Sequence, residues 1–380
     1  MSHRERVVRA LNHEETDRVP IDIGGGPATM IQPDAYERLL AFLGLPGEPH
    51  GQGAWGEGQV VIPSERVLQR FGVDVRGFGL GRPERTPFRE VGRDAYYDEW
   101  GVLWQKAGPR APFINTRGPF QHLEDPVPPD LDAIEWPDAD DPGRARGLAV
   151  RIGEARRSSD YALVLNLPNG TLALTQRLRG FTEHFEDLLI NPVFAEAIQD
   201  RVTDIICGWA EAALAEVGDL VDGVSFADDM GIQTQAYMSR DLYRRMVKPH
   251  HARLVAAIRR HTRARVIMHS DGAIYDLLRE IVETGVEVIN PVQVGAQGMD
   301  PQRLKREFGR DLSFWGGVDT QWVLPFGRPE DVAAEVRRRL ADLGRGGGYV
   351  LASVHNIQAE VPAENIVAMF DTALSAVQTA

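Results

Sequence analysis

From residue 143 onward the chain repeats one unit: a short apolar run, a polar turn and an amphipathic helix. The apolar runs fall near 161–167, 222–228, 265–270, 286–292, 312–318 and 349–355, and a helical pattern follows each. Two earlier runs of the same style, VPIDIGGG (19–26) and VDVRGFGLG (73–81), predict strands near 19–25 and 73–79. Strands that alternate with helices need crossover connections, which are right-handed and make the sheet parallel. Eight such units predict an α/β fold, a (β/α)8 TIM barrel. An open, doubly wound sheet is the alternative, but no glycine-rich dinucleotide fingerprint follows any strand at the required spacing.

Helices are predicted at 32–43, 64–71, 143–157, 172–178, 183–189, 239–261, 274–283, 302–308, 330–343 and 362–377. The longest begins at Asn191-Pro192, a cap followed by a first-turn proline, and runs to about Val217. Ahead of the barrel, Ser2 and Glu5 stand at capping-box spacing before Val7, Val8 and Leu11, which predicts an N-terminal helix. Residues 82–158 form an irregular insertion, with a hairpin at 88–108 and a Pro/Asp-rich stretch at 124–143. It reads as an excursion or lid on one barrel domain spanning 1–380. Its aromatic residues and a neighbour, Trp55, Tyr96, Tyr97, Trp100 and Trp104, could cover a flat ring ligand; packing within the hairpin explains them equally well.

Charge and composition exclude several partners. With 42 basic and 55 acidic residues the net charge is −13, which argues against nucleic acid or an anionic membrane surface as partner. No run approaches the roughly 18 apolar residues of a membrane span. The N-terminus lacks the apolar core of a signal peptide, so a cytoplasmic protein acting on a small molecule is expected. The single cysteine, Cys207, forbids an intramolecular disulfide or a zinc site with two thiolates, and reads as a small buried hydrophobe.

In a barrel, residues just after each strand line the catalytic face, and residues just before each strand line the stability face. GRGGGY (344–349) precedes a strand and reads as a helix-ending turn. The glycines at 24–26 and 316–317 follow strands; their N–H groups could approach an anion, or they simply make tight turns. The strand ends supply Asp22, Asn166, Asn169, Asp228, Asp229, Gln233, Gln235, His269, Asp271, Asn290, Gln293, Asp319, Gln321, His355, Asn356 and Gln358. Asp and Asn at such positions are also expected as N-caps of the next helix. Two ends differ in carrying histidine with acids close by. In RVIMHSDG (265–272), His269 and Asp271 are two residues apart and point the same way in extended backbone. With His355 they make two imidazoles and a carboxylate, a ligand set for zinc or another divalent metal with one position open. Asp228 or Asp229 is the expected fourth ligand or catalytic acid–base. Asn166, Gln233, Asn290, Gln293, Asp319 and Gln358 are the expected substrate-binding residues. Alternatively, these groups bind an organic substrate directly, with Asp228 or Asp229 as proton donor or anchor.

RERVVRALNHEETDRVPIDIGG, DDMGIQTQAYMSRDLYRRMVKPHH, HSDG, INPVQ, FWGGVD and VHNIQAEVPAENIVAMFD, in this order, resemble the uroporphyrinogen decarboxylase superfamily over nearly the whole chain. The resemblance implies a (β/α)8 barrel with its site in the carboxyl-end cleft, in a superfamily whose members often pair as homodimers. Authentic decarboxylases are cofactor-free and carry an arginine-rich RPxWxMRQAGR-type segment after the first helix. Here the equivalent stretch, 17–30, has no arginine after Arg18. The second half resembles more closely the cobamide-dependent methyltransferases, which exchange methyl groups with a corrinoid protein. Their zinc site is of His-x-Cys type on the fifth strand end, with a second cysteine on the last. His269 matches that histidine, Asp271 replaces the first cysteine, and His355 stands near the second. The exchange implies a harder, more Lewis-acidic site, suited to an ether, alcohol or carbonyl oxygen rather than a thiol. The expected function is therefore metal-dependent methyl transfer or O-demethylation with a corrinoid carrier. A cofactor-free carboxy-lyase and a non-catalytic corrinoid- or tetrapyrrole-binding protein are the alternatives.

Overall fold

The computed structural model describes residues 1–52, 60–108 and 111–376; Trp55 lies outside them. Seven strands form one parallel sheet in the order Tyr349–Val350, Ser313–Trp315, Val288–Asn290, Arg265–His269, Gly223–Ala227, Ala162–Asn169, Val75–Gly79. Each neighbouring pair is linked through a helix, as parallel pairing demands; between 75–79 and 162–169 the antiparallel excursion precedes the Leu148–Ser158 helix. The sheet is curled. Val75 from one edge and Val350 from the other share one buried cluster with Ala162, Val164, Ile267, Val288 and Trp315. Val7 and Leu11 of the His3–Leu11 helix join that cluster and close its amino end. The helix begins as its sequence predicts, with Ser2 Oγ accepting from Glu5 N at 3.1 Å.

The expected strand at 19–25 is reduced to a single bridged residue, Ile21, paired in parallel with Leu351. The glycines that follow turn the chain at once, and Gly25 N donates to Asp22 Oδ1 at 2.8 Å. Even so, this short segment bonds both sheet edges. Leu351 N donates to Pro20 O at 2.8 Å and Asp22 N to Leu351 O at 2.9 Å, while Asp74 N donates to Ile21 O at 2.9 Å on the other side. Asp74 holds this junction. Its fully buried carboxylate accepts from Ile21 N at 2.8 Å, Arg6 Nη1 at 2.7 Å and Arg18 Nη1 at 2.7 Å, and it contacts His3 Nδ1 at 2.7 Å. Burial opposes ionisation of Asp74, but the bonds from His3 and Arg18 outweigh it and hold the carboxyl below its ordinary range.

Elsewhere local chemistry corrects the sequence reading. The helix expected over 239–261 is broken into Arg240–Met246 and Lys248–His261. Pro249 lacks the N–H needed to continue the first segment and starts the second. The segment 274–283 opens as a tight turn, Tyr275–Leu277, before Leu278–Val282. Residues 89–117 form a four-stranded antiparallel sheet rather than one hairpin. Within it Tyr96 stacks on Phe88 and Trp104, at ring separations of 5.5 and 6.3 Å. Trp100 is buried edge-on against Trp209 of the Pro192–Val217 helix at 5.4 Å. The excursion is fastened to the body by that contact, by the Arg144 guanidinium, which lies 4.1 Å over the Trp209 ring, and by Arg179, which donates to Phe120 O at 2.9 Å. Cys207 is half-buried against the main core, and burial pushes its thiol up to about 11. Among the described residues no helix is long and apolar enough to cross a membrane.

Removing the Asp74 carboxylate leaves Arg18 without an anionic partner and Arg6 with Asp17 alone at the sheet junction. Asp74→Ala is expected to cost about 3–5 kcal/mol in urea unfolding. Because its folded pKa is depressed, the stability that Asp74 gives is present above its unfolded pKa. It is lost as the pH falls through the folded value.

Candidate metal centre

The parallel register fixes which side chains meet. His269 pairs across the ladder with Ala227 on one side and Asn290 on the other. The turns after these three strands are then stitched together. Asp271 N donates to Asp229 Oδ1 at 3.0 Å, Gly272 N to Gln293 Oε1 at 2.6 Å, and Met230 N to Ser270 Oγ at 3.0 Å. Gly272 has φ +93°, and a Cβ there would lie 2.2 Å from the carbonyl carbon of Gly231. Only glycine lets the two turns close to this distance.

His269, Asp271 and His355 each offer a ligand atom, and the three atoms lie within 4.8 Å of one another. Asp271 Oδ2 is 3.8 Å from the Nε2 of each histidine. Asp229 Oδ1 is 3.7 Å from His269 Nε2. His269 Nδ1 contacts Asn290 Oδ1 at 2.7 Å, and Asn290 Nδ2 donates to Trp315 O at 3.2 Å. The second bond fixes the amide orientation, so the imidazole carries its proton on Nδ1 and its lone pair on Nε2. That lone pair faces the Asp229 and Asp271 carboxylates. Asp271 Oδ1 is buried without a hydrogen-bond partner. Lone pairs and carboxylate oxygens that converge in this way repel unless a proton or cation sits among them. The donor set fits a divalent ion. A tetrahedral zinc site at about 2.0–2.1 Å from each ligand would need these atoms to draw together by up to about 1.5 Å.

The electrostatics agree. Burial disfavours the His269 imidazolium, but Asp271 and Asp229 outweigh it and raise its pKa. At His355 burial prevails over the attraction of Asp271, and the pKa is lowered. Burial raises Asp271, against the pull of both histidines.

A cavity of about 220 Å³ opens beside the cluster, lined by Asp271, His355, Gln233, Gln293, Thr320 and Gln321 among others. A larger groove of about 540 Å³ lies between the Glu65–Arg70 and Leu148–Ser158 helices. Its charged groups are committed: Arg76 pairs with Glu65 at 2.8 Å and lies 3.6 Å over the Tyr161 ring.

The model of the family described as uroporphyrinogen decarboxylase (URO-D) matches residues 130–375. The chain belongs to the URO-D family. A methyltransferase from Methanosarcina mazei has a similar structure, with a TM-score of 0.64 at 16% identity, covering 98% of each chain. At that identity the likeness is one of fold. A β-glucosidase from Pyrococcus furiosus aligns over 94% of this chain and 93% of its own, with a TM-score of 0.42 and 11% identity. No curated protein matches the chain.

In this URO-D chain the other strand-end residues separate by environment. Asp228 is fully buried. Its carboxylate accepts from Leu172 N at 3.2 Å and Ala173 N at 2.7 Å, capping the Thr171–Arg179 helix, and contacts His251 Nε2 at 2.9 Å. His251 Nδ1 in turn meets Tyr243 OH at 3.0 Å. Asp229, half exposed, is the acid that borders His269. Asn166 ties its strand to the first turn, donating to Gly25 O at 2.9 Å. Asp319 Oδ1 accepts from three backbone N–H groups, those of Gln321, Trp322 and Val323, and so caps the Val323–Phe326 helix. Gln358 accepts from Gln32 Nε2 at 2.8 Å. Gln233 and Gln293 line the cavity, and Asn290 orients His269. His251 was not anticipated as the partner of Asp228; it reads as an ordinary helix residue.

In the metal-free protein, Asp271→Asn should lower the pKa of both His269 and His355, since the carboxylate favours both imidazolium forms. Imidazole resonances followed by NMR against pH check this; a His269 value that stays put or rises would contradict the electrostatic picture.

Proposed function

We propose that this chain is an enzyme, a metal-dependent methyltransferase of the URO-D family that works with a corrinoid methyl carrier on a partner protein. The observation that carries the reading is the convergence of His269, Asp271 and His355 at the carboxyl ends of the sheet, with Asp271 Oδ1 buried and unpartnered. These residues would hold zinc or another divalent ion. When bound, the ion supplies Lewis acidity toward an ether, alcohol or carbonyl oxygen. The chain's own residues supply the rest. Asn290 keeps His269 in the tautomer that presents Nε2 inward. Asp229, beside His269 and half exposed, holds or delivers a proton. Gln233 and Gln293 on the cavity wall orient the substrate. A cysteine-free ligand set favours an oxygen-centred methyl donor or acceptor over a thiol.

We also read residues 20–22 as an eighth stave. Their bonds to Leu351 and Asp74 support closure of the curled sheet into a (β/α)8 barrel, with the 82–158 excursion as a lid near its mouth. The family match also keeps a second reading in view, a cofactor-free carboxy-lyase in which Asp229 is the proton donor.

Metal analysis of the purified protein separates the two. About one equivalent of a divalent transition metal is expected, falling at least tenfold in His269→Ala and weakening as the pH drops and the imidazoles protonate. Methylcobalamin, or cob(I)alamin with a methoxylated compound, should then give a metal-dependent change in the corrinoid spectrum. Carbon dioxide release by metal-free protein would favour the lyase.

A further inference from the structure

We infer that Arg177 is an anion-recognising residue of the same site, and that the small-molecule substrate carries a carboxylate. The inference rests on the reading of the strand-end cavity as the substrate site. Arg177 lies in the last turn of the Thr171–Arg179 helix and reaches back to Asn169, the last residue of the preceding strand. The Asn169 amide oxygen, turned toward the guanidinium, accepts from both Nη atoms, one at 2.9 Å. The guanidinium lies 5.2 Å over the Trp104 ring of the excursion sheet. Arg177 thus stands where the excursion meets the strand ends.

The other sheltered arginines are paired with carboxylates. Arg6 and Arg18 bind Asp74 at 2.7 Å, Arg156 binds Asp222 at 2.6 Å, and Arg179, two residues along the same helix, binds Asp187 at 2.6 Å. Arg177 has no such partner among the described residues; its bonds go to a neutral amide. Three acids lie within Coulombic reach, Asp98, Asp228 and Asp229. Two are already saturated. Asp98 accepts from Trp104 Nε1 at 2.7 Å, Trp100 N at 2.9 Å and Val102 N at 3.0 Å, and Asp228 is held by His251 and two backbone N–H groups. They balance the charge of Arg177 from a distance and leave its donors for a ligand. A planar guanidinium with spare donors, backed by an aromatic face, suits bidentate recognition of a carboxylate. The nearby acids also choose among anions. A single carboxylate charge is tolerated beside them better than a phosphate, which carries close to two.

Titration calorimetry on the full-length protein tests the assignment with defined probes: acetate, methoxyacetate and benzoate, their amides, and inorganic phosphate. At least one carboxylate should bind saturably, its amide at least about tenfold more weakly, and phosphate more weakly than the carboxylate. Arg177→Gln should weaken carboxylate binding at least about tenfold, and Arg177→Lys, which keeps the charge and the fold, should restore part of it. His269→Ala should leave carboxylate binding within about twofold while abolishing metal binding, so failure of either assignment shows separately. Equal binding of acids and amides, preference for phosphate, unchanged binding in Arg177→Gln, or no carboxylate binding below about 50 mM would each overturn the inference.

Discussion

The site depends on parallel register. Parallel pairing sets every strand's carboxyl end on one side of the sheet, and the ladder that joins His269 to Ala227 and Asn290 decides which turns are neighbours. A slip of one residue would turn His269 to the other face of the sheet and send its partners elsewhere. Three hydrogen bonds from Met230, Asp271 and Gly272 then lock the turns, and the Gly231–Gly272 contact leaves no room for a side chain between them. His269 and Asp271 are therefore held by backbone geometry, and their side chains need little further ordering.

The two ends of the sheet treat sheltered acids in opposite ways. At the amino end Asp74 is surrounded by Arg6, Arg18, His3 and a backbone N–H, so it is fully satisfied and serves structure. At the carboxyl end Asp271 keeps one oxygen buried and unpartnered, with two imidazole nitrogens 3.8 Å from the other. Folding alone gains nothing from such an arrangement. Unsatisfied groups of this kind concentrate where a ligand or ion completes them. The same contrast singles out Arg177 from Arg179 on one helix.

Much of the fold was legible because its signals are local. Asn191-Pro192 marks the start of the Pro192–Val217 helix, and the apolar runs near 161 and 265 mark buried strands. The proximity of His269, Asp271 and His355 was legible too, since strand ends in a parallel sheet share one face. What escaped depends on tertiary partners. Nothing near Asp228 in sequence announces His251, and nothing near Asp319 separates a helix cap from a substrate contact. Residues 88–108 read as one hairpin because the partner that extends it, Phe113–Arg117, lies outside that stretch and pairs with Leu103–Lys106. The break at Val247 had a local signal, Pro249, that the strong apolar periodicity on either side obscured.

The most direct measurement is titration of the metal-free protein with Co2+, followed by visible absorption. If His269, Asp271 and His355 form the centre, one ion binds per chain with the intense d–d bands of a low-coordinate site. Thiolate charge transfer is absent, and the bands are lost in His355→Ala and in Asp271→Ala. Weak octahedral absorption alone, or bands that persist in both variants, would contradict the site.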